Sequence, residues 1–111
     1  MRKWLPIALV ACVMSHAPSR AAVNHTAKIP TDIVIEASRP CAFFLLTGVT
    51  VADPNVASIA ASWFAIPVTH PAFSQVIAIL MTARVSNLPV SVKTTGGLAC
   101  GFAGVDQVVL L

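Results

Sequence analysis

Between Thr69 and Leu98 the spacing of apolar residues changes period once, and that change defines two elements. At 100° per residue Phe73, Val76, Ile77, Leu80 and Met81 fall on one side, and Ser74, Gln75, Ala78 and Thr82 on the other. This predicts an amphipathic helix of about four turns. Thr69 offers a capping hydroxyl, and Pro71 suits the first turn, where its missing N–H has no partner to lose. Ser86-Asn87 and Leu88-Pro89 close the helix, because Asn tolerates the left-handed cap and a residue before proline is pushed out of the α region. From Val90 the period becomes two: Val90 and Val92 alternate with Ser91 and Lys93, as in a half-buried strand.

The same alternation predicts four more strands. Thr31 to Ala37 places Ile33 and Ile35 on one face and Asp32, Val34 and Glu36 on the other. Ser38-Arg39-Pro40 interrupts, and a second strand opens at Cys41 and runs through Phe43-Phe44-Leu45-Leu46 to Val51, with Gly48 marking a bulge or close approach. Ala52-Asp53-Pro54-Asn55 is turn chemistry, with Asp and Asn able to bond their own backbone. Ala61 to Val68 is a third strand. Beyond the helix and the Val90 strand, Thr94-Thr95-Gly96-Gly97 reads as a turn, Cys100 to Gly104 as an irregular link, and Val105 to Leu111 as a final strand. The order β-β-β-α-β-β predicts a mainly β domain with one helix, a five-stranded OB-like barrel, over residues 31–111. A three-layer α/β fold would need crossover helices between most strand pairs.

The first 30 residues follow a different logic. Arg2 and Lys3, an apolar run from Trp4 to Met14, and small residues from Ser15 to Ala22 with Ser19-Arg20-Ala21 at the cleavage position predict a secretory signal peptide over residues 1–21. Residues 22–30 are then a mobile lead-in. Leu9-Val10-Ala11-Cys12 also matches the short motif at which bacterial lipoproteins are cleaved and lipidated, so a lipid anchor on Cys12 is the alternative processing. No stretch approaches the ~20 apolar residues of a spanning helix, and the exported chain, secreted or periplasmic, is not expected to be an integral membrane protein.

Removing that segment changes the charge. The whole chain carries +3, but Lys28, Arg39, Arg84 and Lys93 balance Asp32, Glu36, Asp53 and Asp106 in the remainder. A neutral chain has no clustered Lys and Arg with which to hold a phosphate backbone, so no nucleic-acid partner is expected. Eight charges in residues 22–111 are also few against the usual quarter or so, and such a surface favours self-association.

Cys41 and Cys100 form an even pair in an oxidising compartment, which reads as one disulfide across roughly 60 residues. Metal binding by the two is the rival reading, without a histidine set to complete it. No cofactor site, nucleophile elbow, paired carboxylates or phosphate loop is apparent, and there is no tyrosine. A non-enzymatic role is therefore expected. His70 beside Pro71 reads as a capping or surface residue, and Asn24-His25-Thr26 satisfies the short glycosylation sequon. Of Trp63-Phe64, alternation sends one to the core and leaves the other for a ligand. Arg84 is expected to be structural, its stem on apolar surface and its guanidinium at the helix's own free carbonyls.

The signal peptide, Cys41, the Ser62-Trp63-Phe64-Ala65-Ile66 strand, the Phe73 to Ala83 helix, Val90-Ser91-Val92 and Cys100-Gly101-Phe102 before a Val105/Val108 strand together resemble a group of short exported bacterial proteins. These are single OB-fold domains similar in layout to the pentameric B subunits of subtilase-cytotoxin and pertussis-like toxins. The resemblance is one of architecture and spacing. It implies a non-catalytic, homo-oligomeric module that binds glycans of a host or cell surface, and it carries over no sugar-binding residue. The uncharged helix face of Ser74, Gln75, Ala78 and Thr82 is the expected seam between copies. The alternative function is a monomeric periplasmic structural or inhibitory protein, lipid-anchored through Cys12.

Overall fold

Residues 22–111 are described in the computed structural model of the chain, and the expected signal peptide with Cys12 lies outside them. Six strands and one helix follow in order: β1 (Asn24–Lys28), β2 (Pro30–Ile35), β3 (Cys41–Leu46), β4 (Phe64–Pro67), α1 (Phe73–Ser86), β5 (Val90–Ala99) and β6 (Phe102–Leu110). They form one mixed sheet ordered β1-β5-β6-β4-β3-β2. Every neighbouring pair is antiparallel except β4 and β6, which run parallel. The mainly β class with one helix is as expected from the sequence. The sheet differs in detail from a closed five-stranded barrel: it has six strands, and β1 and β2 stand at its edges. The added strand comes from the expected mobile lead-in, whose Asn24, His25 and Lys28 pair with Lys93, Val92 and Val90 of β5. Only Ile29 separates β1 from β2, so the two edges of the sheet converge where the chain passes between them. The left-handed φ of Ala27 (58°) bends the chain just before that point.

Period-two alternation divides the sheet into two faces. Ile33, Phe44, Phe64 and Ala103 lie in register across four strands on one side. There they join Ile66, Val90, Val92 and Val105 in the main core under Val76, Leu80 and Ala83 of α1. Val34, Phe43, Ala65 and Gly104 are in register on the other side, where a smaller cluster gathers Cys41, Phe43, Ala65 and Phe102. The first strand was expected to bury Ile35. Ile33 and Val34 serve the two faces, but Ile35, on Ile33's side and paired with Ala42 at the very end of edge strand β2, is 63% exposed. Met81, placed by the wheel on the buried side, is 52% exposed.

The second strand ends at Leu46, and Gly48 with φ 78° begins a long connection. Thr94 to Gly97 do not turn the chain. They lie inside β5 at a bulge where Gly96 takes φ 84°. The reversal is a two-residue one at Cys100 (φ 51°) and Gly101 (φ 86°), the positive-φ pair of a type I′ hairpin. The φ of 86° at Gly101 is one that side-chain-bearing residues rarely adopt, so glycine is favoured at the tip; a Cβ there would also displace the exposed end of Ile59.

The helix is tied at both ends to carbonyls that bulges release from the ladder. Asp106 is the extra residue on β6 between the Lys93–Gln107 and Thr94–Val105 pairs, and its carbonyl accepts a hydrogen bond from His70 Nε2 at 2.9 Å. His70 Nδ1 accepts from the Ala72 N–H at 3.0 Å, which places the ring proton on Nε2. His70, rather than Thr69, thus serves the helix start, where the cap residue Ala72 has no side-chain acceptor. At the other end Asn87 adopts the expected left-handed cap. Arg84 does not turn to its own helix's carbonyls: its Nε donates to the carbonyl of Thr31, inside the β2 bulge. The Asn87 and Leu88 N–H groups both go to the Ala83 carbonyl, and Arg84 instead supplies a donor to a strand carbonyl outside the ladder. Arg84→Met should lower stability by about 1 kcal/mol, read as a shifted denaturant midpoint, with ligand binding unchanged. A loss of binding with the midpoint intact would contradict this role.

Candidate ligand cleft on the face away from the helix

The sheet face turned away from α1 carries a cleft of about 250 Å³ lined by Val34, Glu36, Arg39, Phe43, Trp63 and Phe102. Its floor follows from strand register. Ala65 of β4 stands opposite Phe43 of β3 and, being small, lets that ring reach across to Phe102 of β6. The two rings meet edge to face with centroids 5.1 Å apart, a favoured aromatic geometry. Trp63 enters β4 from the long connection and forms a wall, packed against the same cluster. Phe64, the next residue, points the other way: it is fully buried, stacks on Phe44 at 5.1 Å and meets the His25 ring edge-on at 5.3 Å. The alternation expected of this pair therefore holds, with Trp63 the half-exposed member.

The rim is the β2–β3 turn. Arg39 lies with Cζ 5.3 Å above the Phe43 ring and 5.8 Å above Phe102, and its Nε is 3.4 Å from Glu36 Oε2. The two side chains are 46% and 39% exposed, so the pair contributes little to stability, about 0–1 kcal/mol. Its effect is positional: the guanidinium lies over Phe43 and Phe102 with a carboxylate beside it. The hairpin tip at Cys100-Gly101 leads into Phe102, with Cys100 packed against the same cluster. It is held by the Cys41–Cys100 disulfide, whose Cα atoms are 6.5 Å apart.

Sequence reasoning found Trp63 and both cysteines but missed Glu36, Arg39, Phe43 and Phe102. Ser38-Arg39-Pro40 was legible only as a break between strands, while Phe43 and Phe102 are core residues, 3% and 9% exposed, that the cleft only just reaches. The remaining residues singled out lie elsewhere. His25 Nε2 meets the Ala52 carbonyl at 2.6 Å. Asp53 is buried, bonding the Asn55 N–H, as its turn position predicts, and the Thr94 hydroxyl, both at 2.9 Å. These contacts pin the long β3–β4 connection to β1 and β5. Ser74, Gln75, Ala78 and Thr82 are all exposed on the outer side of α1. A shallower groove of about 490 Å³ runs between α1 and β2 past Ile33, Met81, Arg84 and Val85; it lacks aromatic residues, and its cation is engaged with Thr31. Among the described residues no group of three or more His, Cys, Asp or Glu is placed to hold a metal ion.

The disulfide fits a non-reducing compartment, and no described helix is long and apolar enough to cross a membrane. Comparison of the chain with protein-family models and with curated proteins finds no match.

Proposed function

We propose that this chain is an exported, non-catalytic binding and assembly module whose specific activity is glycan recognition, in the manner of toxin B subunits. The observation that carries the reading is the cleft: an aromatic floor and wall with a donor and an acceptor at the rim, the mixture of apolar surface and a few placed polar groups that small ligands require. Its position supports the same reading. With β1 and β2 counted as one strand bent at Ala27, the sheet order becomes a ring of five in which the third and fifth strands are parallel, the plan of an OB barrel. In that fold the face of strands two and three, flanked by the first and fourth loops, binds oligosaccharides and oligonucleotides. Counted in that way, the cleft falls on the corresponding side of the sheet, beside the β2–β3 turn, which supports the reading. The neutral charge balance disfavours the nucleic-acid option.

For assembly, the outer face of α1 at Ser74, Gln75, Ala78 and Thr82 is uncharged, so a second copy can pack there without desolvating an ion. A closed ring would satisfy such heterologous contacts. A glycan array probed with the exported protein tests the reading: wild type should bind a defined set of sugars, and Trp63→Ala should lose at least tenfold in affinity while remaining folded. Light scattering on the same sample should give a multiple of the chain mass. Absence of any glycan signal from folded protein overturns the recognition claim, and a clean monomer mass overturns assembly.

A further inference from the structure

We propose that Glu36 and Arg39 act as a single clamp for an adjacent pair of hydroxyls, so that the cleft selects uncharged sugar rings and rejects anionic ones. This rests on the reading above that the cleft takes a glycan. It follows from donor and acceptor chemistry. A guanidinium only donates and a carboxylate only accepts, whereas each sugar hydroxyl does both. Side by side, with Nε and Oε2 3.4 Å apart, the two residues complement neighbouring hydroxyls that accept from one and donate to the other. An arginine standing alone would instead suit a carboxylate, sulfate or phosphate, which it grips with two parallel bonds. Here one edge of the guanidinium already faces Glu36, and any ligand anion drawn to Arg39 is brought against that carboxylate. The clamp as a whole is neutral.

The aromatic residues and the size of the cleft narrow the ligand further. Beneath the clamp, Phe43 and Phe102 offer the surface over which Arg39 already lies. Those two rings are themselves only 3% and 9% exposed, so the C–H-bearing face of a pyranose packs on the half-exposed Trp63. At about 250 Å³ the cleft falls below the ~300–1,000 Å³ usual for drug-sized ligands. It therefore takes one ring, with any further sugars lying in solvent. Both clamp residues sit in an exposed turn, so replacing them leaves the two cores untouched.

The test is titration of the folded protein, followed through the Trp63 indole signal by NMR. The probes are methyl glycosides of neutral hexoses and N-acetylhexosamines, set beside glucuronic acid, N-acetylneuraminic acid and a sulfated hexose. Wild type should shift the indole with a neutral ring and ignore the anionic set. Glu36→Gln, which keeps the shape but removes the charge, should weaken neutral binding by about tenfold, the lower end expected for losing one charged hydrogen bond, and should gain measurable binding of an anionic sugar. Preference of the wild type for an anionic sugar overturns the clamp while leaving glycan recognition standing. Equal binding of neutral sugars by wild type and Glu36→Gln likewise removes the clamp alone. A folded wild type that binds neither class overturns both readings.

Discussion

Replacing Cys41 or Cys100 by serine should lower the unfolding free energy by about 2–5 kcal/mol. The bridge joins residues 59 apart in sequence, and constraining a loop of that length in the unfolded chain is worth about 4 kcal/mol in the chain-entropy model. A domain of this size is stable by only about 5–15 kcal/mol in total, so the loss removes a large share. Local geometry adds to it. Cys100 occupies the first central position of the hairpin tip with φ 51°, where a non-glycine residue is disfavoured, and its sulfur anchors that tip to the start of β3. Without the bridge, the β5–β6 tip that leads into Phe102 should loosen before the rest of the sheet. Chemical denaturation of the two serine variants, with and without reductant, measures the effect, and thiol labelling of native wild type should find no reactive sulfhydryl at either position. Two labelled thiols in the folded exported protein would overturn it.

Phe64→Ala should cost about 3–5 kcal/mol, the range for emptying a buried aromatic site. β4 has four residues and lies between β3 and β6. Phe64 is its anchor, fully buried, with one face on Phe44 and the His25 edge against it. The neighbours are strands that cannot close the void without breaking register, so little of the cavity should collapse. The damage should also spread: His25 is held both by this ring and by the Ala52 carbonyl, and losing the ring frees the β3–β4 connection at that point. A urea midpoint for Phe64→Ala, with Phe64→Leu as a milder control, tests this. A loss below 1 kcal/mol for the alanine variant would show that the ring is not a core anchor.

The helix and the inward alternation of β5 were legible because both have long, regular patterns and clear stop signals at Asn87 and Pro89. The disulfide was legible from parity. What escaped has one physical source: strands whose period is broken. The extra residue that β2 carries between Pro30 and Ile33 is announced by no local composition. Gly96-Gly97 looks like a turn because glycine serves bulges and turns alike, and only the pairing of Leu98 with Ala103 beyond it shows that the ladder continues. Asn24 to Lys28 has a polar edge-strand composition that reads as a mobile lead. The cleft was the least legible feature of all. Phe43 and Phe102 are 59 residues apart in sequence and meet only because Ala65 lies between their strands, and Glu36 and Arg39 gain meaning only from what lies beneath them.

The position of β6 bears on the order of folding. Among the described strands it pairs with both β5 and β4, joining β1 with β5 on one side to β4, β3 and β2 on the other, and it follows all five of those strands in the chain. Until β6 is available neither part can bury its apolar face against the other, and α1 has half a sheet to rest on. Contacts of such long sequence separation form slowly. The sheet therefore stays incomplete until β6 has been made. The same ordering leaves Cys41 waiting for Cys100 until the β5–β6 hairpin has formed.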